Sequence, residues 1–195
     1  MVSVLLRKIL FFGWVLLSVR GFGQTPPKIN VIYGKQHIYT VETPNGWIND
    51  KEFAASVGLV SFFYAQQDSL KQPKSYFYTM GYDKDEKNRT LKSFISGDME
   101  TFRKKYPGFE FKQDDITPPR GVTKAEKYSF FNLTDRYREE VVYLETESSV
   151  LVCAFSAFSK EDYTNYRKAF KLFVASLHYR GNDPKRFIKW YKRGK

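Results

Sequence analysis

Residues 136–158 read RYREEVVYLETESSVLVCAFSAF. Two β-rich runs, Arg136 to Thr146 and Ser149 to Phe158, flank the polar pair Glu147-Ser148, as consecutive strands joined by a tight turn do. Val141 and Tyr143 on the first, with Val150, Val152 and Ala154 on the second, set apolar groups at alternating positions. Lys127 to Phe131, just upstream, is a third strand candidate, and a three-strand meander is the economical pairing. Glu139 and Glu140 are adjacent on one strand, so their carboxylates face opposite sides of the sheet and cannot converge without a bulge.

On either side of this centre the hydrophobic period changes from two to about 3.6. Leu91, Phe94, Ile95, Met99, Phe102 and Tyr106 recur at three- and four-residue steps behind Thr90, a good N-cap, and Pro107-Gly108 stops the run. Gly97 weakens that helix by about 1 kcal/mol relative to alanine. Downstream, Ser159 caps a second helix with Asp162 three residues on. Its stripe is Tyr163, Tyr166, Phe170, Phe173, Val174 and Leu177, and His178 closes it.

Ile29 to Tyr33 and His37 to Glu42 form a hairpin around Gly34-Lys35. A short helix from Asn49 or Asp50 runs to Ser56 and ends at Gly58. Leu59 to Ala65 and Ser75 to Tyr82 are strands, and Phe109 to Lys112 is another candidate. Strands in runs with helices between the runs give a mainly antiparallel sheet with helices on its faces. Phe62-Phe63-Tyr64 and Tyr76-Phe77-Tyr78 put rings on both faces of two strands. Helices covering both sides account for that; the alternative leaves one face open as an aromatic surface for a glycan, peptide or lipid.

The order of these features resembles the PsbP-like fold family. The likeness rests on Tyr39-Thr40-Val41-Glu42-Thr43-Pro44-Asn45-Gly46-Trp47, a strand followed by a Pro-x-Gly-Trp turn, and on the strand Val60 to Ala65. It continues through the helix opened by Thr90-Leu91, through Tyr143-Leu144-Glu145, and through Ser159 to Ser176-Leu177, covering about Val31 to Tyr179. What the resemblance implies is an α/β fold, an α-β-α sandwich with a mainly antiparallel sheet, and a partner-binding, non-enzymatic role. It transfers no functional residue. Gly46 serves the turn and Trp47 packs the sheet edge.

The first twenty-three residues carry a basic pair, Arg7-Lys8, an apolar run from Ile9 to Val19, and Gly21 and Gly23 before a cut at Gln24. This is the pattern of a cleaved secretory signal peptide. The run is about half the roughly 20 apolar residues a spanning helix needs, so no transmembrane span is expected after cleavage. The expected organisation is a leader at 1–23, one α/β domain at 24–181, and a basic aromatic tail at 182–195. Of the net charge of +11, the leader holds +3 and Asp183 to Lys195 holds +5, which leaves the body at +3. A nucleic-acid partner is not expected, because such domains spread cations over a face.

Sets that carry covalent or metal chemistry are missing from the sequence. The only histidines, His37 and His178, have no ligand-spaced partner, and the single cysteine, Cys153, sits in an apolar run. Asp83 to Asn88 resembles a calcium loop but lacks its glycine and its closing glutamate, and reads as a solvated loop. No cofactor is expected. In the tail, Asp183 and Pro184 start a helix whose Phe187, Ile188 and Tyr191 share a face, with Lys185, Lys189 and Lys192 largely opposite. Lys185, Arg186, Lys189, Trp190, Lys192 and Arg193 are the candidate contacts to an anionic surface. The expected function is an exported, non-catalytic accessory or binding module of the cell envelope, acting on an envelope protein, a glycan or an anionic surface. The alternatives are an envelope enzyme with a carboxylate-based site and attachment through the basic tail.

Overall fold

The computed structural model describes residues 27–70, 73–85 and 90–193; the leader read at 1–23 lies outside them. Its strands are β1 (Ile29–Tyr33), β2 (Ile38–Glu42), β3 (Trp47–Asn49), β4 (Phe62–Ala65), β5 (Ser75–Asp83), β6 (Glu110–Asp114), β7 (Lys124–Phe131), β8 (Arg138–Glu145), β9 (Ser149–Ala157) and β10 (His178–Gly181). The helices are α1 (Lys51–Ser56), α2 (Leu91–Lys105), α3 (Lys160–Ala175) and α4 (Pro184–Arg193).

The meander forms as the alternation requires: β7, β8 and β9 are consecutive neighbours, with Val141 opposite Ala154 and Tyr143 opposite Val152. β5 pairs along the far side of β9, which completes an antiparallel sheet in the order β3-β4-β5-β9-β8-β7-β6. The first hairpin does not join it. β1 and β2 pair antiparallel as read, but β2 takes β10 on its other edge, making a separate three-stranded sheet. This corrects the placement of His178 at a helix end. The backbone of Leu177 closes α3 by bonding to Val174, and His178 then opens β10 opposite Thr40.

Helices lie on both faces of the larger sheet, which is the α-β-α sandwich. On one face, Tyr163, Phe170, Phe173 and Val174 of α3 pack against Phe63, Phe77, Phe155 and Cys153, and the small sheet adds Ile32, Tyr39 and Val41. On the other, Leu91, Ile95 and Met99 of α2 cover Val141, Tyr143, Val150 and Val152. Each fully buried large side chain contributes about 1.5–3 kcal/mol. Caps fix the helix starts: Asp50 accepts from the backbone of Phe53 at 2.8 Å, Thr90 from Ser93 at 3.1 Å and Ser159 from Asp162 at 3.0 Å. Trp47 stacks 3.7 Å from Phe77, beyond the turn that Gly46 makes at φ +77°.

His37 joins the two sheets. Its ring is buried between Gly34 and Gly81, where an added Cβ would stand 2.2 Å from ring atoms on either side, and its Nδ1 lies 2.7 Å from Asp83. Only glycine leaves room there. Asp83 is therefore the end of β5, and Lys84 bonds to Glu145 at 3.1 Å, so these two residues do not belong to the expected solvated loop, whose residues 86–88 lie outside those described.

Candidate functional site

Register places two rows of side chains across the α2 face. Tyr64, Tyr76, Ser156, Glu139 and Phe130 lie side by side on β4, β5, β9, β8 and β7, with Phe62, Tyr78, Ala154, Val141 and Tyr128 in the row beside them. The outer positions of both rows hold rings, while the central strand contributes only serine and alanine. Ser156 and Ala154 are themselves fully buried. Residues of α2 and α1 stand on either side of Phe62, Tyr76 and Tyr78, and a cleft of about 600 Å³ lies between them. The volume suits a small ligand or a few side chains of a larger one.

The walls are apolar: Phe53 and Val57 from α1, Phe62, Phe102, and Phe158 at the mouth. Phe62 stacks on Tyr76 at 4.9 Å and meets Phe53 edge-on at 4.7 Å. The floor is polar and tightly paired. Arg136 reaches in from the turn before β8 and donates to Glu139, to Ser156 at 3.0 Å, to Tyr76 at 3.4 Å and to Tyr106 at 3.1 Å. Its remaining edge holds Asp135 through two contacts of 2.9 Å. Burial raises the Glu139 carboxyl above the usual range, against the pull of Arg136. Hydrogen bonds from Arg136, then from Tyr106, hold Asp135 well below it. With Arg136 saturated and Glu139 engaged by it, the floor presents fixed dipoles to a ligand.

The sequence therefore anticipated the parts but not the place. Tyr76, Tyr78 and Phe62 belong to the consecutive rings that the sequence singles out; helices flank this face as they do the other, Phe62 is buried, and Tyr76 and Tyr78 are half-buried at the cleft. The α3 face of the same strands is covered, with Phe63, Phe77 and Phe155 fully buried. Arg136 went unnoticed as a site residue. Its signal was the Asp135-Arg136 pair with Glu139 three residues on, but the partners Tyr76, Tyr106 and Ser156 come from elsewhere in the chain.

The other sequence candidates lie outside the cleft. Glu140 turns to the opposite face from Glu139, as adjacency on a strand requires. Glu145 caps α2 by accepting from the backbone of Leu91 at 3.3 Å. Cys153 is fully buried in β9, and burial pushes its thiol up to about 12. Among the described residues, no group of three or more His, Cys, Asp or Glu side chains is placed to hold a metal ion. No described helix is long and apolar enough to cross a membrane.

The tail forms α4 from Pro184, with Asp183 accepting from the backbone of Arg186 at 3.0 Å. Phe187 contacts Trp190 at 5.6 Å and stacks on Tyr191 at 6.1 Å. Lys185, Arg186, Lys189 and Arg193 are exposed, as is Trp190 at 67 %. Lys192 falls within the same helix.

No family model matches the chain, and no curated protein does. Among solved structures, the chain is similar to the cyanobacterial PsbP of Synechocystis, at 15 % identity over 84 % of this chain and 98 % of that one, with a TM-score of 0.49. It is also similar to the Saccharomyces cerevisiae Ran-binding protein Mog1p, at 9 % identity over 80 % of this chain and 96 % of that one, with a TM-score of 0.47. Neither likeness assigns a residue or an activity.

Proposed function

We propose that this chain is an exported, non-catalytic binding module of the cell envelope, and that its ligand enters the aromatic cleft between α1 and α2. The observation that carries this is the pairing of an aromatic-walled, 600 Å³ cleft with a floor whose charges are already neutralised by one another. Such a site recognises an apolar or planar group and orients it with a few fixed polar contacts. Burial raises the Glu139 carboxyl, but it is held by Arg136 and Ser156 rather than turned free into the cleft. Export rests on the leader at 1–23. An envelope glycan or protein segment fits both the compartment and the rings.

The test fills the cleft. Envelope extract passed over the immobilised mature chain should yield a component that Val57→Trp, narrowing the wall, fails to retain. The component should elute chemically unchanged. Equal retention by the variant, or recovery of a cleaved product, would overturn the reading.

The exposed basic and aromatic groups of α4 favour a second, compatible reading, attachment to an anionic surface. Basic residues near an anionic bilayer contribute about 1 kcal/mol each. Deleting residues 182–195 should abolish salt-sensitive co-sedimentation with anionic vesicles; equal binding by the truncated chain removes this role.

A further inference from the structure

The α3 face carries a second cluster, away from the cleft. Arg138, near the start of β8, places its guanidinium carbon 4.3 Å from the centre of the Phe131 ring and 4.3 Å from that of Tyr163. Arg167, one turn beyond Tyr163 on α3, places its own 5.3 Å from the same Tyr163 ring. Five buried side-chain polar atoms lack a hydrogen-bond partner among the described residues, and three belong to this cluster: Arg138 Nε, Arg167 Nε and Glu140 Oε2. Buried polar atoms are normally satisfied, so this concentration calls for an explanation.

Charge is out of balance there. Glu140 is the buried acid of the cluster; it accepts from the Tyr163 hydroxyl, and its Oε1 is shared by Lys127 and Arg167, each at 3.7 Å. Lys127 also reaches Asp114 at 3.5 Å. Arg138 has no ion pair among the described residues. Its Nε is buried, while the residue as a whole is half-buried. Arg167 is 41 % exposed. The cluster therefore holds two guanidinium groups beside one tyrosine, one of them locked between two rings and without a counter-charge.

We propose that Arg138 and Arg167, organised by Tyr163 and Phe131, form a binding site for an oxyanion, a carboxylate or phosphate group on a ligand. A planar guanidinium matches two oxygens of such a group. Fixing it between rings removes the side-chain entropy that binding would otherwise cost. An oxyanion bound to both arginines also relieves their mutual repulsion, and Glu140 forms its ion pairs with Lys127 and Arg167, which leaves Arg138 as the group that takes it.

The test titrates the mature chain with inorganic phosphate at constant ionic strength and follows the arginine Nε–H resonances. Saturable shifts at Arg138 and Arg167 are expected. Arg138→Gln should weaken phosphate by about 10-fold or more, and Arg138→Lys, which keeps the charge but loses the fork, by about 3-fold or more. Lys35→Gln, far along the chain on the first hairpin turn, should leave it unchanged. Acetate saturating the same resonances would assign a carboxylate ligand, and phosphate alone a phosphorylated one. No saturable shift in the native protein would overturn the proposal, as would Arg138→Lys binding as tightly as the native chain. Because the resonance test uses the native protein, it decides the matter even where Arg138→Gln fails to fold.

Discussion

Tyr76 and Phe77 are neighbours on β5, yet they meet different surroundings. Phe77 points into the α3 face, where Trp47, Phe155, Phe170 and Phe173 enclose it completely. Tyr76 points the other way, onto the floor of a cleft, with Phe62 on one side and the guanidinium of Arg136 at its hydroxyl. Both faces are built from equally aromatic strands. They differ in what the central strand presents: Phe155 and Cys153 toward α3, Ser156 and Ala154 toward the cleft. The α3 face is closed by core along β5, while the α2 face has its core under α2 and its cleft beside it. Both faces thus hold a core, and only the α2 face also holds the aromatic cleft.

That contrast is breakable. Phe77→Ala removes a wholly enclosed ring and should cost about 3–5 kcal/mol in urea unfolding; a loss below about 1 kcal/mol would mean that the α3 face is not closed by core at Phe77. Gly81→Ala drives a methyl into the His37 ring and should cost about 1–3 kcal/mol, read as a lower thermal midpoint. Asp135, beside the cleft, should show in the pH dependence. Arg136 holds its carboxyl well below the ordinary 3.8, so the stability it supplies is present above that pH and fades as the pH falls through it. Asp135→Asn should flatten the acid limb of the stability curve, and an unchanged limb would place the acid lability elsewhere. The smallest change belongs to Phe158→Ala. This ring is 44 % exposed at the mouth, and its loss should shift stability by about 0.5 kcal/mol or less while reducing ligand retention. Equal losses for Phe158→Ala and Phe77→Ala would erase the distinction between the faces.

The elements legible in the sequence were those whose signal is local. Alternation at Val141, Tyr143, Val150 and Val152 marked the meander, and the stripe from Leu91 to Tyr106 with its Thr90 cap marked α2 nearly to the residue. β10 left no such mark. His178-Tyr179-Arg180-Gly181 has little apolar alternation, and it is a strand because β2 offers it an unpaired edge. β3, only three residues long, is held by β4 in the same way. The cleft was half legible. Consecutive rings announced two aromatic faces, but which face holds the cleft depends on register, which brings Ser156 opposite both Tyr76 and Glu139. Arg136 gains its meaning only in that register.

The union of β2 with β10 has a consequence for how the chain must be made. Thr40 waits for His178, so the small sheet has no third strand until the chain has been made as far as β10. Contacts so distant in sequence slow folding, because the loop between them must close before they contribute. β10 then works as a timing element, leaving the β1–β2 hairpin without its third strand while the intervening residues are made.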